Sequence, residues 1–261
     1  MFIPEKIKKI ICKDNYLMDD IGMSDSEVMI FSDKVLKIQN ESEEAENECR
    51  VMQWLKGKLP VPEVICYERY NGKDYLLMSK ISGKMLCDEI YMQNPDKLTE
   101  LLAEGLKMLW QTDISNYTYS FDLDKKLKIA KYNVEHNLVD LDDAEPETFG
   151  ESGFKSPKQL LEWLIKNKPK EEKVLSHGDY CLPNIIVKDN KINGFIDLGM
   201  TGIADKWQDI ALCYRSLEHN FLGKYGGKVY SGFEPEILFK KLGIEPDWDK
   251  IKYYILMDEL F

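Results

Sequence analysis

Asp179, Asn184 and Asp197 are the residues whose types and spacing point to chemistry. They lie in the stretch L-S-H-G-D-Y-C-L-P-N-I-I-V-K-D-N-K-I-N-G-F-I-D-L, from Leu175 to Leu198. An Asp in a Gly-, Cys- and Pro-punctuated loop, followed by an Asn and a second Asp able to share a hard cation, is the set that phosphoryl transfer needs. Two apolar β-rich runs, Ile185-Ile186-Val187 and Ile192 to Ile196, flank the polar turn Lys188-Asp189-Asn190-Lys191, which predicts a hairpin. Asn184 and Asp197 lie about symmetrically around its centre, so an antiparallel pairing sets them opposite each other, within about 5 Å at Cα. Three unconnected loop residues are the plain alternative. The hairpin register and the His177-Gly178 lead-in favour the chemical one.

Such a site also needs a cation for phosphates. Lys37 alternates with Val35 on a strand, and a Lys turned inward among Val and Ile is costly unless paired. Ser42 to Lys56 has Ala45, Cys49, Met52 and Leu55 at helical spacing. Glu48 falls within that stripe. A Lys37–Glu48 strand-to-helix ion pair is therefore expected, of the kind that orients a lysine on nucleotide phosphates. Glu41 is the second candidate, and a surface pair worth about 0–1 kcal/mol is the plain one. The segment Ile21-Gly22-Met23-Ser24-Asp25-Ser26 has hydroxyls and backbone N–H groups suited to covering phosphates. The chain has neither G-x-x-x-x-G-K-[ST] nor G-x-G-x-x-G.

The elements that must hold these residues separate into two parts. Residues 1–80 read as β-rich: an amphipathic helix over 4–13, a hairpin turning at Asp33-Lys34, the helix with Glu48, and a hairpin turning at Asn71-Gly72. Lys80-Ile81-Ser82-Gly83 forms a polar joint. Residues 81–261 read as mainly helical. Asn94-Pro95 and Ser156-Pro157 start helices, another spans about 120–138, and others begin near Asp205 and Asp247. Asp209 suits the first turns of its helix, or braces the catalytic loop. Residues 140–151 carry six acids and no base, which predicts an exposed connector or a lid that receives a polycation.

Composition narrows the class further. The 261 residues carry a formal charge of −11, with a pI near 4.9. That argues against nucleic acid and favours cationic ligands. The cysteines at 12, 49, 66, 87, 181 and 213 form no C-x-x-C pair, which argues against a zinc or disulfide scaffold. No secretory leader and no apolar run of membrane-spanning length is read. A soluble cytoplasmic protein, monomeric or weakly dimeric, is expected.

The motif H-G-D-Y-C-L-P-N, with G-F-I-D-L-G, A-D-K-W-Q-D-I-A and the ending D-E-L-F, resembles the aminoglycoside phosphotransferases, most of all the 3′-phosphotransferases of the kanamycin and neomycin class. The likeness runs nearly end to end, through W-L-K-G-K-L-P-V-P, L-L-M-S and P-D-W-D-K-I-K-Y-Y-I-L-M-D-E-L-F. It implies an α+β, two-lobed protein-kinase-like fold: a small β-rich nucleotide-binding lobe over 1–80, and a larger, mainly helical catalytic and substrate-binding lobe over 81–261. By the same resemblance, Asp179 is the catalytic Asp, and Asn184 and Asp197 ligate Mg2+. Lys37, fixed by Glu48, holds the phosphates of ATP, with GTP as an alternative. Ser24 and Ser26 line the phosphate loop, and Met78 to Ile81 receive the adenine. Arg215, Glu218, Glu259, Phe261, Glu145 and Glu147 frame a polycationic aminoglycoside, whose phosphorylation confers resistance.

Four positions depart from the family pattern. Val35 replaces an aromatic against the adenine, Met200 a common Arg, Leu182 an acid in some relatives, and His219 stands near an acidic substrate contact. The competing readings are a kinase of another small amino-alcohol, choline- or homoserine-like, and a nucleotide-binding pseudokinase.

Overall fold

A computed structural model of the protein describes residues 2–11, 14–18, 26–142, 144–151, 153–224 and 226–261. Among these, the chain runs α1 (Glu5–Ile11), β1 (Leu17–Met18), β2 (Glu27–Ile30), β3 (Lys34–Asn40), α2 (Glu43–Leu55), β4 (Val64–Tyr70), β5 (Lys73–Ser79), β6 (Lys84–Met85), α3 (Glu89–Met92) and α4 (Pro95–Trp110). It continues with α5 (Leu123–Glu135), α6 (Pro157–Lys166), β7 (Lys173–Ser176), β8 (Ile185–Lys188), β9 (Lys191–Phe195), β10 (Gly202–Asp205), α7 (Lys206–Leu222), α8 (Ile237–Leu242) and α9 (Trp248–Asp258). These form two units, Met1–Leu86 with Pro183–Thr201, and Cys87–Leu182 with Gly202–Phe261.

The first unit is built on an antiparallel sheet of order β1-β2-β3-β5-β4. Period-two alternation gives β3 two unlike faces. Leu36 and Ile38 pack with Met29, Phe31, Tyr75 and Leu77 beneath Ile7 and Ile11 of α1. Lys37 points to the other face and meets α2. Ser42 starts α2 by accepting the Ala45 N–H on its hydroxyl, 3.0 Å away. Asn71 and Gly72 both take left-handed backbone, φ 52° and 74°, which closes the β4–β5 turn with the twist a two-residue hairpin needs.

The predicted hairpin is β8–β9, and its turn residues Asp189 and Asn190 are also left-handed. Its other neighbour is β6, through Lys84↔Val187 and Met85↔Ile186. That pairing joins residues 183–201 to the first unit. A linear cut at residue 80 leaves the hairpin with the helical part, because β6 is only two residues long and gives no periodic signal.

In the second unit, Asn94 caps α4, and Pro95 sits in its first turn. Leu98, Leu101, Leu102, Leu106 and Leu109 are fully buried along one side of α4. α7 packs against α9, and α5 against α6. Asp205 is an organising residue, 1% exposed. It caps α7 and takes hydrogen bonds from the Tyr254 hydroxyl at 2.9 Å, Lys250 Nζ at 3.1 Å and the Glu172 N–H at 3.1 Å. The helix predicted over 120–138 is α5, which starts later because Asp122 is its N-cap and ends at Glu135 with His136 as its C-cap. The short α3 and α8 had no readable periodicity. No helix among the described residues is long and apolar enough to cross a membrane.

Candidate functional site

The first unit carries Lys37, Glu48, Asn184, Asp197, Met78, Ile81 and Ser26; the second carries Asp179, Arg215, Glu218, Glu259, Phe261, Glu145 and Glu147. Ser24 lies outside the described residues, with most of its loop.

In the first unit, Lys37 Nζ is 3.0 Å from Glu48 Oε2 and 2.7 Å from Asp197 Oδ1. Burial acts to lower the Lys37 pKa, but the charges of Glu48 and Asp197 outweigh it and hold the ammonium above its ordinary value. Burial pushes Glu48 up, and Lys37 pulls it back. Glu41, the second candidate for Lys37, pairs with Arg69 instead.

Asp197 has φ 58°, in the left-handed region that non-glycine residues enter at a cost. The turn beyond it is held by Asn47, a fully buried residue of α2. Asn47 Nδ2 donates to Gly199 O and to Thr201 O, both at 2.9 Å. One helix therefore presents both the carboxylate that orients Lys37 and the amide that fixes the turn after Asp197. Sequence reasoning did not single out Asn47. The available signal was an Asn inside a helix, where it is unfavourable, next to a stripe-facing Glu.

The expected opposition of Asn184 and Asp197 needs correction by one residue. Ile185 faces Phe195, and the Ile196 N–H donates to Asn184 O at 3.0 Å, so Asn184 lies opposite Ile196. A bulge between Ile186 and Val187 shifts the register nearer the turn. Symmetry about the turn could not reveal it.

Met78 is buried on β5 opposite Val35. Ile81 packs on Gly194, where a Cβ would lie 2.1 Å from Ile81 Cδ1.

In the second unit, Asp179 follows β7 on a loop whose neighbours are all held. Asp209, fully buried, accepts the Ser176 hydroxyl at 2.9 Å and the N–H groups of His177 and Gly178 at 2.8 and 3.0 Å. Gln208 Nε2 donates to Gly178 O, the Tyr180 hydroxyl to Leu102 O, and the Leu182 N–H to Ser216 Oγ. Asp209 thus takes the bracing role. Leu182 is fully buried.

Lys126 of α5 was also missed. It is 2% exposed, with its ammonium 5.1 Å from the Phe121 ring centre and 5.0 Å from that of Phe261. Burial lowers its pKa more than the charges of Asp258, Asp209 and Asp179 raise it.

The substrate-framing candidates group around Arg215. It pairs with Asp258, and its Nη1 lies 3.6 Å from Glu259 Oε1. Glu259 Oε2 accepts the Glu145 N–H at 2.9 Å. Glu145 Oε1 is 2.6 Å from Lys224 Nζ and 2.8 Å from His219 Nε2. Burial raises the Glu218 pKa, and the charges of Glu236 and Glu145 add to it. Glu147 is exposed and makes no ion pair among the described residues. Phe261 is partly exposed.

Residues 23–252 match the sequence model of the phosphotransferase enzyme family. The chain belongs to this phosphotransferase family. It is 42% identical to an aminoglycoside 3′-phosphotransferase of Enterococcus faecalis, across 100% of this chain and 99% of that one. It is 41% identical to the enzyme of that name from Staphylococcus aureus, again across 100% and 99%. Among solved structures it resembles an aminoglycoside-3′-phosphotransferase of type VIII, with TM-score 0.80 at 22% identity over 95% of this chain and 94% of that one. It also resembles an aminoglycoside phosphotransferase of Streptomyces rimosus in complex with ADP and streptomycin, with TM-score 0.76 at 20% identity over 98% and 97%. The fold of this phosphotransferase is accordingly the kinase-like α+β fold of these enzymes, and the resemblance read from the motifs holds across the chain.

Proposed function

We propose that the protein transfers the γ-phosphoryl group of ATP to a hydroxyl of an aminoglycoside, the 3′-hydroxyl, and so confers resistance to it. The observation that carries this reading is the largely enclosed Lys37 held between Glu48 and Asp197, in a chain whose relatives of about 40% identity are named for 3′-transfer. The first unit receives the nucleotide, with adenine at Met78 to Ile81 and phosphates at Lys37. Glu48 keeps Lys37 aimed when the phosphates draw it from Asp197. The second unit receives the acceptor, whose ammonium groups meet Glu145, Glu218 and Glu259.

The residues fit Mg2+ rather than a softer metal. Asn184 and Asp197 offer one amide and one carboxylate oxygen, and Mg2+ takes one or two protein oxygens plus water and phosphate. Among the described residues, no group of three or more His, Cys, Asp or Glu could form a closed metal cage. When bound, the ion would neutralise charge on the phosphates.

Asp179 orients the acceptor hydroxyl and takes its proton as the new O–P bond forms in line and the bond to ADP breaks. The brace of Asp209 on the Asp179 loop keeps that base in place without reorganisation. The protein works in the cytoplasm, where ATP is supplied, as a monomer or weak dimer.

An ATP-coupled assay tests this with kanamycin, its 3′-deoxy relative tobramycin, and choline. Turnover is expected with kanamycin alone, with the product located by NMR. Equal turnover of tobramycin would move the reaction off the 3′ position. Turnover of choline alone would favour the amino-alcohol reading.

A further inference from the structure

Residues 140–151 carry no base of their own. Folding supplies two, His219 from the last turn of α7 and Lys224 from just beyond its end. Gly223 ends that helix with left-handed backbone, φ 68°. The next residue, Lys224, donates its N–H to His219 O at 3.0 Å. This closure fixes the root of the Lys224 side chain and sends its ammonium to Glu145 Oε1, 2.6 Å away, beside His219.

The carboxylate and the lysine are not held equally. The backbone N–H of Glu145 is bonded to Glu259, which Arg215 faces in turn. His219 is also largely enclosed, with its side chain 12% exposed, whereas Lys224 is 38% exposed. A half-solvated lysine gives up a surface pair at little cost and regains rotamer freedom on release. An ammonium group of a ligand makes the same bond.

We propose that Lys224 is a specificity-determining residue that caps Glu145 in the free protein, so that an acceptor ammonium seats on Glu145 only by displacing it. This rests on the reading of Glu145 as part of an aminoglycoside site. The internal cation sets a threshold. An acceptor with several ammonium groups replaces Lys224, and a mono-cationic alcohol competes poorly.

The test compares Lys224→Met, Glu145→Gln, the double variant and Lys241→Met. Lys241 pairs with Asp96 on the same unit and serves as a control for lost charge. Kanamycin KM and kcat come from the coupled assay, and kanamycin Kd from isothermal titration calorimetry. Lys224→Met is expected to lower kanamycin KM and Kd about two- to five-fold, with kcat and the KM for ATP unchanged. Glu145→Gln is expected to raise kanamycin KM, and adding Lys224→Met to it should change nothing further. Lys241→Met should leave both constants as they are.

A Lys224→Met protein with unchanged or weaker kanamycin binding overturns the proposal, as does an equal gain from Lys241→Met or from Lys224→Met on the Glu145→Gln background. Failure of the functional reading looks different: the unaltered protein then neither binds nor turns over kanamycin.

Discussion

Replacing Asn47 probes how the turn beyond Asp197 is held. Asn47→Ala removes two donors from Gly199 O and Thr201 O, and both residues are buried. A buried polar group left without its partner costs about 1–3 kcal/mol. Asn47 Oδ1 is itself buried with no hydrogen-bond partner among the described residues, so its removal returns part of that loss. The net expectation is a destabilisation of about 2–4 kcal/mol, a large share of a typical total of about 5–15 kcal/mol. Asn47→Asp should be worse at neutral pH, because a carboxylate donates nothing and would be buried against two carbonyl oxygens. Urea denaturation would measure both as shifts in midpoint at constant slope.

The turn also holds Asp197 in its left-handed conformation, which costs about 1–2 kcal/mol without support. Asn47→Ala should therefore lower kcat with little change in aminoglycoside KM. Stability within about 0.5 kcal/mol of the unaltered protein, the range of an ordinary surface substitution, would refute the reasoning. So would an Asn47→Asp protein no less stable than Asn47→Ala.

Three other outcomes are expected. Asp179→Ala should lower kcat by about 10²–10⁴-fold, the range for a positioned general base, and near-normal turnover in the steady-state assay would remove Asp179 from that role. Gly194→Ala sets a Cβ 2.1 Å from Ile81 Cδ1; thermal unfolding should show a loss of about 1–3 kcal/mol, and ATP KM should rise where aminoglycoside KM does not. Burial pushes the Glu145 pKa up, but the Lys224 hydrogen bond and the charges of His219, Lys224 and Arg215 outweigh it and hold the carboxyl below its ordinary 4.5. A depressed folded pKa contributes stability that is present above that value and lost as pH falls through the folded pKa. The Tm difference between the unaltered protein and Lys224→Met should therefore be steady near neutrality and shrink below about pH 4.5.

Much of the site was legible because local rules act on short stretches. Alternation along β3 turned Lys37 away from the α1 side, and the 3.6-residue stripe of α2 turned Glu48 inward; together they anticipated the ion pair. Ser42, Asn94-Pro95 and Ser156-Pro157 marked helix starts, and Asn71-Gly72 marked its turn. These signals need only residues a few positions apart.

What escaped depends on partners far apart in the chain. Asn47 binds carbonyls more than 150 positions away; the brace of Asp209 was one of two readings, and the three donors it collects about 30 residues upstream decided between them. A donor's partner over such a span is set by packing, and no periodicity records it. The acids of 140–151 read alone as an open, self-repelling segment suited to a polycation. Only the end of α7 decided that Glu145 already holds the Lys224 ammonium beside the His219 ring, because Coulomb attraction depends on distance in space.

The sequence by itself determined the β-rich and helical parts, the Asp179, Asn184 and Asp197 motif, and the Lys37–Glu48 pair, all carried by side-chain periodicity and turn chemistry. Tertiary structure alone decided that β8–β9 joins β6, that Asn184 lies opposite Ile196, that Asn47 holds the turn after Asp197, that Asp209 braces the Asp179 loop rather than only suiting its helix dipole, and that Lys224 meets Glu145. Backbone register and long-range hydrogen bonds exist only once the chain has closed on itself.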